Sequence, residues 1–244
     1  MISVVSAQEA RDAVQAGALL LDAKNPLEGS LGAQFPGVIR AIRDVARGNI
    51  QISAAIGDMP NLPGTAALAA LGAAVCGADY VKVGLHGQRS EEEAIALVHA
   101  VRVAVGSYKT KVIAAGYADY QRLGLLDPRC LPRVAKEAEA HGCLIDTDLK
   151  NGQTLFDFIA PEKLSSLVAE AHGANMLFGA AGALREEDLP LLRSMEIDVV
   201  GLRTAVCRGS QRNGELDPLR VNYLINKFSG QKAEPQMAHI SHNL

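Results

Sequence analysis

The chain has 244 residues, 48% hydrophobic and 21% charged, with a net charge of −3 and a pI near 6.1. That length can bury a large apolar core, and 4% aromatic content without Trp means a core of Ala, Val, Leu and Ile. The weakly acidic balance excludes a general attraction for nucleic acid or anionic membrane, so an anionic small molecule would need a local basic site.

Taken in order, short β-rich runs alternate with Ala-rich helical stretches. Strands are expected near Ile2–Val5, Leu19–Ala23, Ile50–Ala55, Tyr80–Val83, Lys111–Ala115, Leu144–Thr147, Met176–Gly179 and Asp198–Leu202. Helices are expected near Ala7–Ala16, Pro36–Ala46, Gly64–Cys76, Glu91–Val105, Pro128–His141, Pro161–His172, Glu186–Met195 and Asp217–Phe228. Ser90 before Glu91, Asp127 before Pro128 and Asp217 before Pro218 mark helix starts. Gly17, Gly77, Gly106, Gly142 and Gly173 stand where helices should stop.

Eight βα units in residues 1–228 fit an α/β chain folded as a single (β/α)8 TIM barrel. The alternative is an open doubly wound sheet, which usually has a Gly-rich turn after its first strand; here Ser6 leads straight into helix. Residues 229–244 lose periodicity and read as a flexible tail, in which His239 and His242 are weighed as a metal pair and set aside. The N-terminus lacks the basic start and long apolar run of a signal peptide, and no apolar run nears the roughly 20 residues of a membrane helix. The cysteines at 76, 130, 143 and 207 show no metal or redox spacing, which suits reduced thiols in a cytoplasmic protein.

In a barrel the reactive groups belong at the C-terminal ends of the strands. Strand 2 alternates so that Leu20, Asp22 and Lys24 share the inward face. Asp22 and Lys24 are either a reactive pair or a structural ion pair closing the barrel mouth. Lys82 sits between valines in strand 4 and should also point inward, and two lysines at one mouth depress at least one pKa. Strand 6 brings Asp146 as a general acid or base, Asp148 as a possible solvated charge and Lys150 as an anion ligand.

Late in the chain, Gly179 and Gly182 follow strand 7, while Arg203, Arg208, Gly209 and Arg212 follow strand 8. Small residues and arginines there read as a phosphate clamp or as an ordinary loop with surface arginines. The loop Ile56–Thr65 could wall the site, the segment Gly116–Tyr120 could add polar groups to it, His86 reads as a structural histidine, and Cys207 has no helper base.

The segments Asp22-Ala-Lys24-Asn-Pro-Leu-Glu-Gly-Ser-Leu-Gly-Ala33, Ala78-Asp-Tyr-Val-Lys82-Val-Gly-Leu85 and Ala114-Ala-Gly-Tyr-Ala-Asp119 resemble the (5-formylfuran-3-yl)methyl phosphate synthase family of methanofuran biosynthesis. So do Ile145–Phe158 and the stretch from Val200 to Gly214, in the same order. The resemblance implies condensation of two glyceraldehyde 3-phosphate molecules into a furan aldehyde phosphate, releasing one phosphate and two waters. It makes Lys24 the Schiff-base lysine, with Asp22 orienting it, and Lys82 the proton acceptor; Asp146 and Lys150 match other active-site positions. It implies a phosphorylated triose as the small-molecule partner, no metal or organic cofactor, no nucleic acid and no membrane, and leaves homo-oligomerisation open. Two other functions fit the residues: a class I aldolase-type enzyme on another sugar phosphate, and a non-catalytic barrel that binds a phosphometabolite.

Overall fold

The computed structural model describes residues 1–230, so the expectations for a C-terminal tail and for His239 and His242 fall mostly outside it. Eight parallel strands run in the order β1 to β8: Ile2–Val4, Leu20–Ala23, Gln51–Met59, Tyr80–Leu85, Lys111–Tyr117, Gly142–Asp146, Leu177–Ala180 and Val199–Val200. Beyond β8, Leu202 bridges to Ile2, with Ser3 N–H donating to the Leu202 carbonyl and Leu202 N–H to that of Met1 (both 3.0 Å). These bonds close the sheet into the expected barrel.

The helices are α1 (Ala7–Gln15), α2 (Pro36–Val45), α3 (Pro63–Val75), α4 (Glu91–Ala104), α5 (Tyr120–Leu123), α6 (Leu131–Glu137), α7 (Pro161–Gly173), α8 (Leu189–Ser194) and α9 (Pro218–Ser229). Their starts follow from the sequence. Ser6 accepts from Glu9 N–H, Ser90 from Glu93 N–H and Asp217 from Leu219 N–H, each cap contributing about 1 kcal/mol. Proline opens α2, α3 and α7, where its missing N–H has no intrahelical acceptor to lose.

Strand alternation sorts the core into two clusters. Leu21, Ala23, Ile52, Ala54, Val81, Val83, Val112, Ala114 and Ile145 face outward and pack under the helices. Ala55, Ile113, Ala115, Tyr117, Leu144 and Ala181 fill the inside of the barrel, with Leu31 closing over them. The inward set is small, which leaves room at the mouth for long polar side chains.

Several expected boundaries are corrected. β3 continues to Met59, because its register slips between Ala55 and Asp58, with Gly57 at φ +120°. Much of the expected loop Ile56–Thr65 is therefore strand, and Asp58 is part of it. The helix expected at Pro128–His141 is a 3-10 turn, Pro128–Cys130, followed by α6, because Pro132 cannot donate and restarts the helix. Pro190 splits the segment Glu186–Met195 in the same way. Of the five expected glycine stops, Gly17 and Gly77 take the left-handed conformation. Gly142 opens β6 instead, and Glu139 and Asn175 make the left-handed turns after α6 and α7.

Candidate active site

At the C-terminal ends of the strands, Asp22, Lys24, Lys82, Asp146 and Lys150 line one cavity. β2 delivers Asp22 and, one residue past its end, Lys24; β4 delivers Lys82; β6 ends on Asp146. All four are buried. Alternation thus brings together Asp22, Lys24, Lys82 and Asp146, and the loop after β6 adds Lys150.

The pairing inside the cluster differs from the expected one. Asp22 pairs with Lys82, Oδ2 to Nζ at 2.7 Å, and the same oxygen accepts from Ser3 Oγ at 3.1 Å. Lys24 pairs with Asp146 at 3.4 Å. Residues two apart on a strand are separated by about 7 Å along it, so Asp22 and Lys24 each meet a partner from another strand across the interior. Asp22 Oδ1 is buried with no protein partner among the described residues.

Asp146 is the hub of the second pair. Its Oδ1 accepts from Lys150 Nζ and from Thr147 N–H, each at 2.8 Å. Burial alone would raise this carboxyl, but Lys150 and then Lys24 outweigh it and hold it well below the usual carboxylate range. Burial lowers Lys82, with the Lys24 charge adding to the shift and Asp22 opposing it. Lys150 is lowered by burial and by Lys24 against the pull of Asp146. The expected depression of an amine at this mouth is therefore present at Lys82, with burial as its main cause.

The late-chain residues divide. Gly182 lines the cavity at φ +110°, and Ala183 follows at φ +50°. Ala183 and Leu184 line the cavity too, and the N–H groups of Gly182, Ala183 and Leu184 donate to no carbonyl among the described residues. Arg212 also lines the cavity, its Nη2 donating to the carbonyls of Gly29 (2.8 Å) and Ser30 (3.4 Å). Arg203 also borders the cavity, but its guanidinium is taken up by Glu9 and by the carbonyls of Ser3, Arg212 and Gly214. Arg208 and Gly209 are exposed, with Arg208 pairing to Glu215 at 3.5 Å. Gly179 lies deeper, where a Cβ would press on Leu144. The structure does not bring Arg208, Gly209 or Gly179 to the cavity.

Other residues support the site without having been singled out for it. Ser3, in the apolar first strand, is one, and its parity could have revealed it. Asp119 is another: its two oxygens accept from the N–H groups of Asp148 and Leu149, both at 2.8 Å, and hold the loop that carries Lys150. Ser30 Oγ donates to the Thr147 carbonyl at 2.7 Å, tying the loops after β2 and β6 together. These contacts join distant segments, and only the fold reveals them. Cys207 is buried and its thiol is raised, with burial the main cause, so it is no better a nucleophile here than its sequence suggested.

Fold and cluster together define a (β/α)8-barrel enzyme with an amine-rich centre. Residues 1–225 match the 4-HFC-P synthase family, and the chain belongs to it. It is 47% identical over 215 residues to the (5-formylfuran-3-yl)methyl phosphate synthase of Methanopyrus kandleri, covering 87% of this chain and 91% of that one. Identity to the synthase of Methanocaldococcus jannaschii is 43% over 220 residues, with 89% and 94% covered. The fold is similar to phosphoribosyl anthranilate isomerase of Thermus thermophilus, at a TM-score of 0.59 and 17% identity, covering 94% of this chain and 97% of that one. A 3-hexulose-6-phosphate synthase structure aligns at a TM-score of 0.58 and 16% identity, with 91% and 98% covered.

Proposed function

We propose that this chain is a (5-formylfuran-3-yl)methyl phosphate synthase of methanofuran biosynthesis, acting through a Schiff base on Lys24. The observation that carries the reading is one cavity holding two buried lysines, each with its own carboxylate, in a member of the 4-HFC-P synthase family. Lys24 attacks the aldehyde of one glyceraldehyde 3-phosphate. The iminium acidifies the adjacent carbon, and Lys82, lowered toward its neutral form by burial, takes the proton. β-Elimination then expels phosphate and leaves a conjugated iminium; the second triose, deprotonated at its own central carbon, adds through that carbon to the methylene terminus, the connection that the branched furan requires.

Asp146 offsets the positive charge of the iminium, and Lys150 beside it offers an ammonium to a phosphate oxygen. The N–H donors of Gly182, Ala183 and Leu184 and the Arg212 guanidinium, which line the same cavity, suit the second phosphate. Ring closure and the loss of two waters complete the furan without any change of oxidation state.

The test is borohydride trapping in the presence of glyceraldehyde 3-phosphate, followed by peptide mapping. The expected adduct is on Lys24, and the unreduced reaction yields free phosphate and a furan chromophore. An adduct on Lys82 with none on Lys24 overturns the assignment, as does full activity in Lys24→Arg, whose guanidinium forms no such imine. Carbon–carbon bond formation without a furan would make the protein an aldolase instead.

A further inference from the structure

Beside the lysine cluster lies a second set of ionisable groups that the steps above leave unused. β4 carries Lys82, Gly84 and, one residue past its end, His86. Gly84 has no side chain, and a Cβ there would run into the Tyr117 hydroxyl and approach Asp58. The space is filled by Tyr117, whose phenol donates to the Asp58 carboxylate and whose ring belongs to the barrel interior. His86 stands edge-on to that ring, at 5.7 Å between centroids. Its Nε2 lies 3.6 Å from Asp148 Oδ2, and 40% of the His86 side chain is exposed, just past the C-terminal end of β4. Asp119 fixes the backbone at Asp148, so the carboxylate facing His86 is held by the same clamp that sets Lys150.

The reaction requires two hydroxyls to leave as water, and each leaving oxygen needs a proton. Asp146 cannot supply it, because two ammonium groups keep it ionised. Lys24 is occupied by substrate in the proposed mechanism. The Tyr117 proton is committed to Asp58, and both burial and that carboxylate raise the phenol further. Histidine is the side chain suited to giving and taking protons near neutral pH.

Resting on the function proposed above, we propose that His86, oriented by Asp148, is the acid–base residue of a dehydration step that follows ring closure. The C–O bond of the leaving hydroxyl breaks as the imidazolium, its Nε2 turned to Asp148, gives the proton of its other nitrogen, Nδ1, to that oxygen, and water departs. The neighbouring carbon loses its proton to the imidazole, and the electrons of that C–H bond become a ring double bond. His86 ends as it began, and nothing is oxidised or reduced. Asp148 is a positioning residue that acts through the imidazole.

The experiment is a single turnover with enzyme in excess over glyceraldehyde 3-phosphate, reading free phosphate and furan absorbance on the same sample. In His86→Gln, phosphate appears at a rate within about threefold of the wild type and borohydride still traps Lys24, while the furan signal slows by about 10²-fold. Asp148→Asn keeps the imidazole and slows the same signal less, so it serves as the second variant if His86→Gln does not fold. Equal slowing of phosphate and furan, or an unslowed furan signal, in the variant that folds overturns the assignment. A wild type that releases no phosphate overturns the function itself, and this role with it.

Discussion

At the scale of single residues, the site is governed by which carboxylate stands beside which amine. Burial and Lys24 lower Lys82 while Asp22 and, more weakly, Asp146 raise it, so removing Asp22 takes away the main opposing influence and lowers it further. A base acts in its neutral form, and the acid limb of the rate profile marks where it becomes protonated. Asp22→Asn should therefore move the acid limb of kcat/KM to lower pH, measured across pH with glyceraldehyde 3-phosphate. A limb that moves to higher pH would contradict the role given to Lys82. The maximal rate should also fall, because Asn orients an ammonium less strongly than a carboxylate at 2.7 Å does. Lys82→Gln is the complementary case: the Lys24 adduct persists, and phosphate release drops by about 10²–10⁴-fold. Trapping and phosphate release measured together distinguish this from a loss of substrate binding.

Between elements, the loops are set by a few polar clamps, and this is where the sequence was least informative. Asp119, at the end of the segment after β5, bonds two consecutive N–H groups of the loop after β6. Asp119→Ala should free residues 147–152, seen as faster amide exchange there, and raise KM while leaving the Lys24 adduct in place. Unchanged exchange would show that Ser30 and its bond to Thr147 suffice to hold the loop. The strand ends were legible beforehand because a period of two is a local property: it put Asp22, Lys24 and Lys82 inside before any contact was known. Asp119 and the pairing of Asp22 with Lys82 were not legible, since each depends on segments dozens of residues apart. His86 was read as structural because nothing near it in sequence announces Asp148, which comes 62 residues later. Helix ends failed for a different reason: Glu139 and Asn175 adopt the left-handed turns that glycine usually takes, which pattern alone does not reveal.

For the whole molecule, two arginines that look alike in sequence are placed differently: one joins the ends of the barrel, and the other lines the cavity, where the proposed function gives it a phosphate. Arg203 bonds Glu9 of α1, the Ser3 carbonyl of β1 and the carbonyls of Arg212 and Gly214, joining the first and last units of the chain. Both members of its pair with Glu9 are largely buried. Arg203→Met strands the Glu9 carboxylate, a change that costs about 3–5 kcal/mol for a buried pair. For a chain of this size that is a fall in Tm of roughly 10 °C. Arg212 donates from one nitrogen to two loop carbonyls and lines the cavity. Arg212→Met should lower stability by only about 1 kcal/mol, the worth of an ordinary hydrogen bond. It should raise KM for the phosphorylated substrate by about 10- to 100-fold, the loss expected for a charge-assisted contact. Thermal melts and steady-state kinetics on the two variants separate the roles. A large Tm loss in Arg212→Met with unchanged KM would assign it to closure instead, and would leave the N–H groups of Gly182, Ala183 and Leu184, with Lys150, to hold both phosphates.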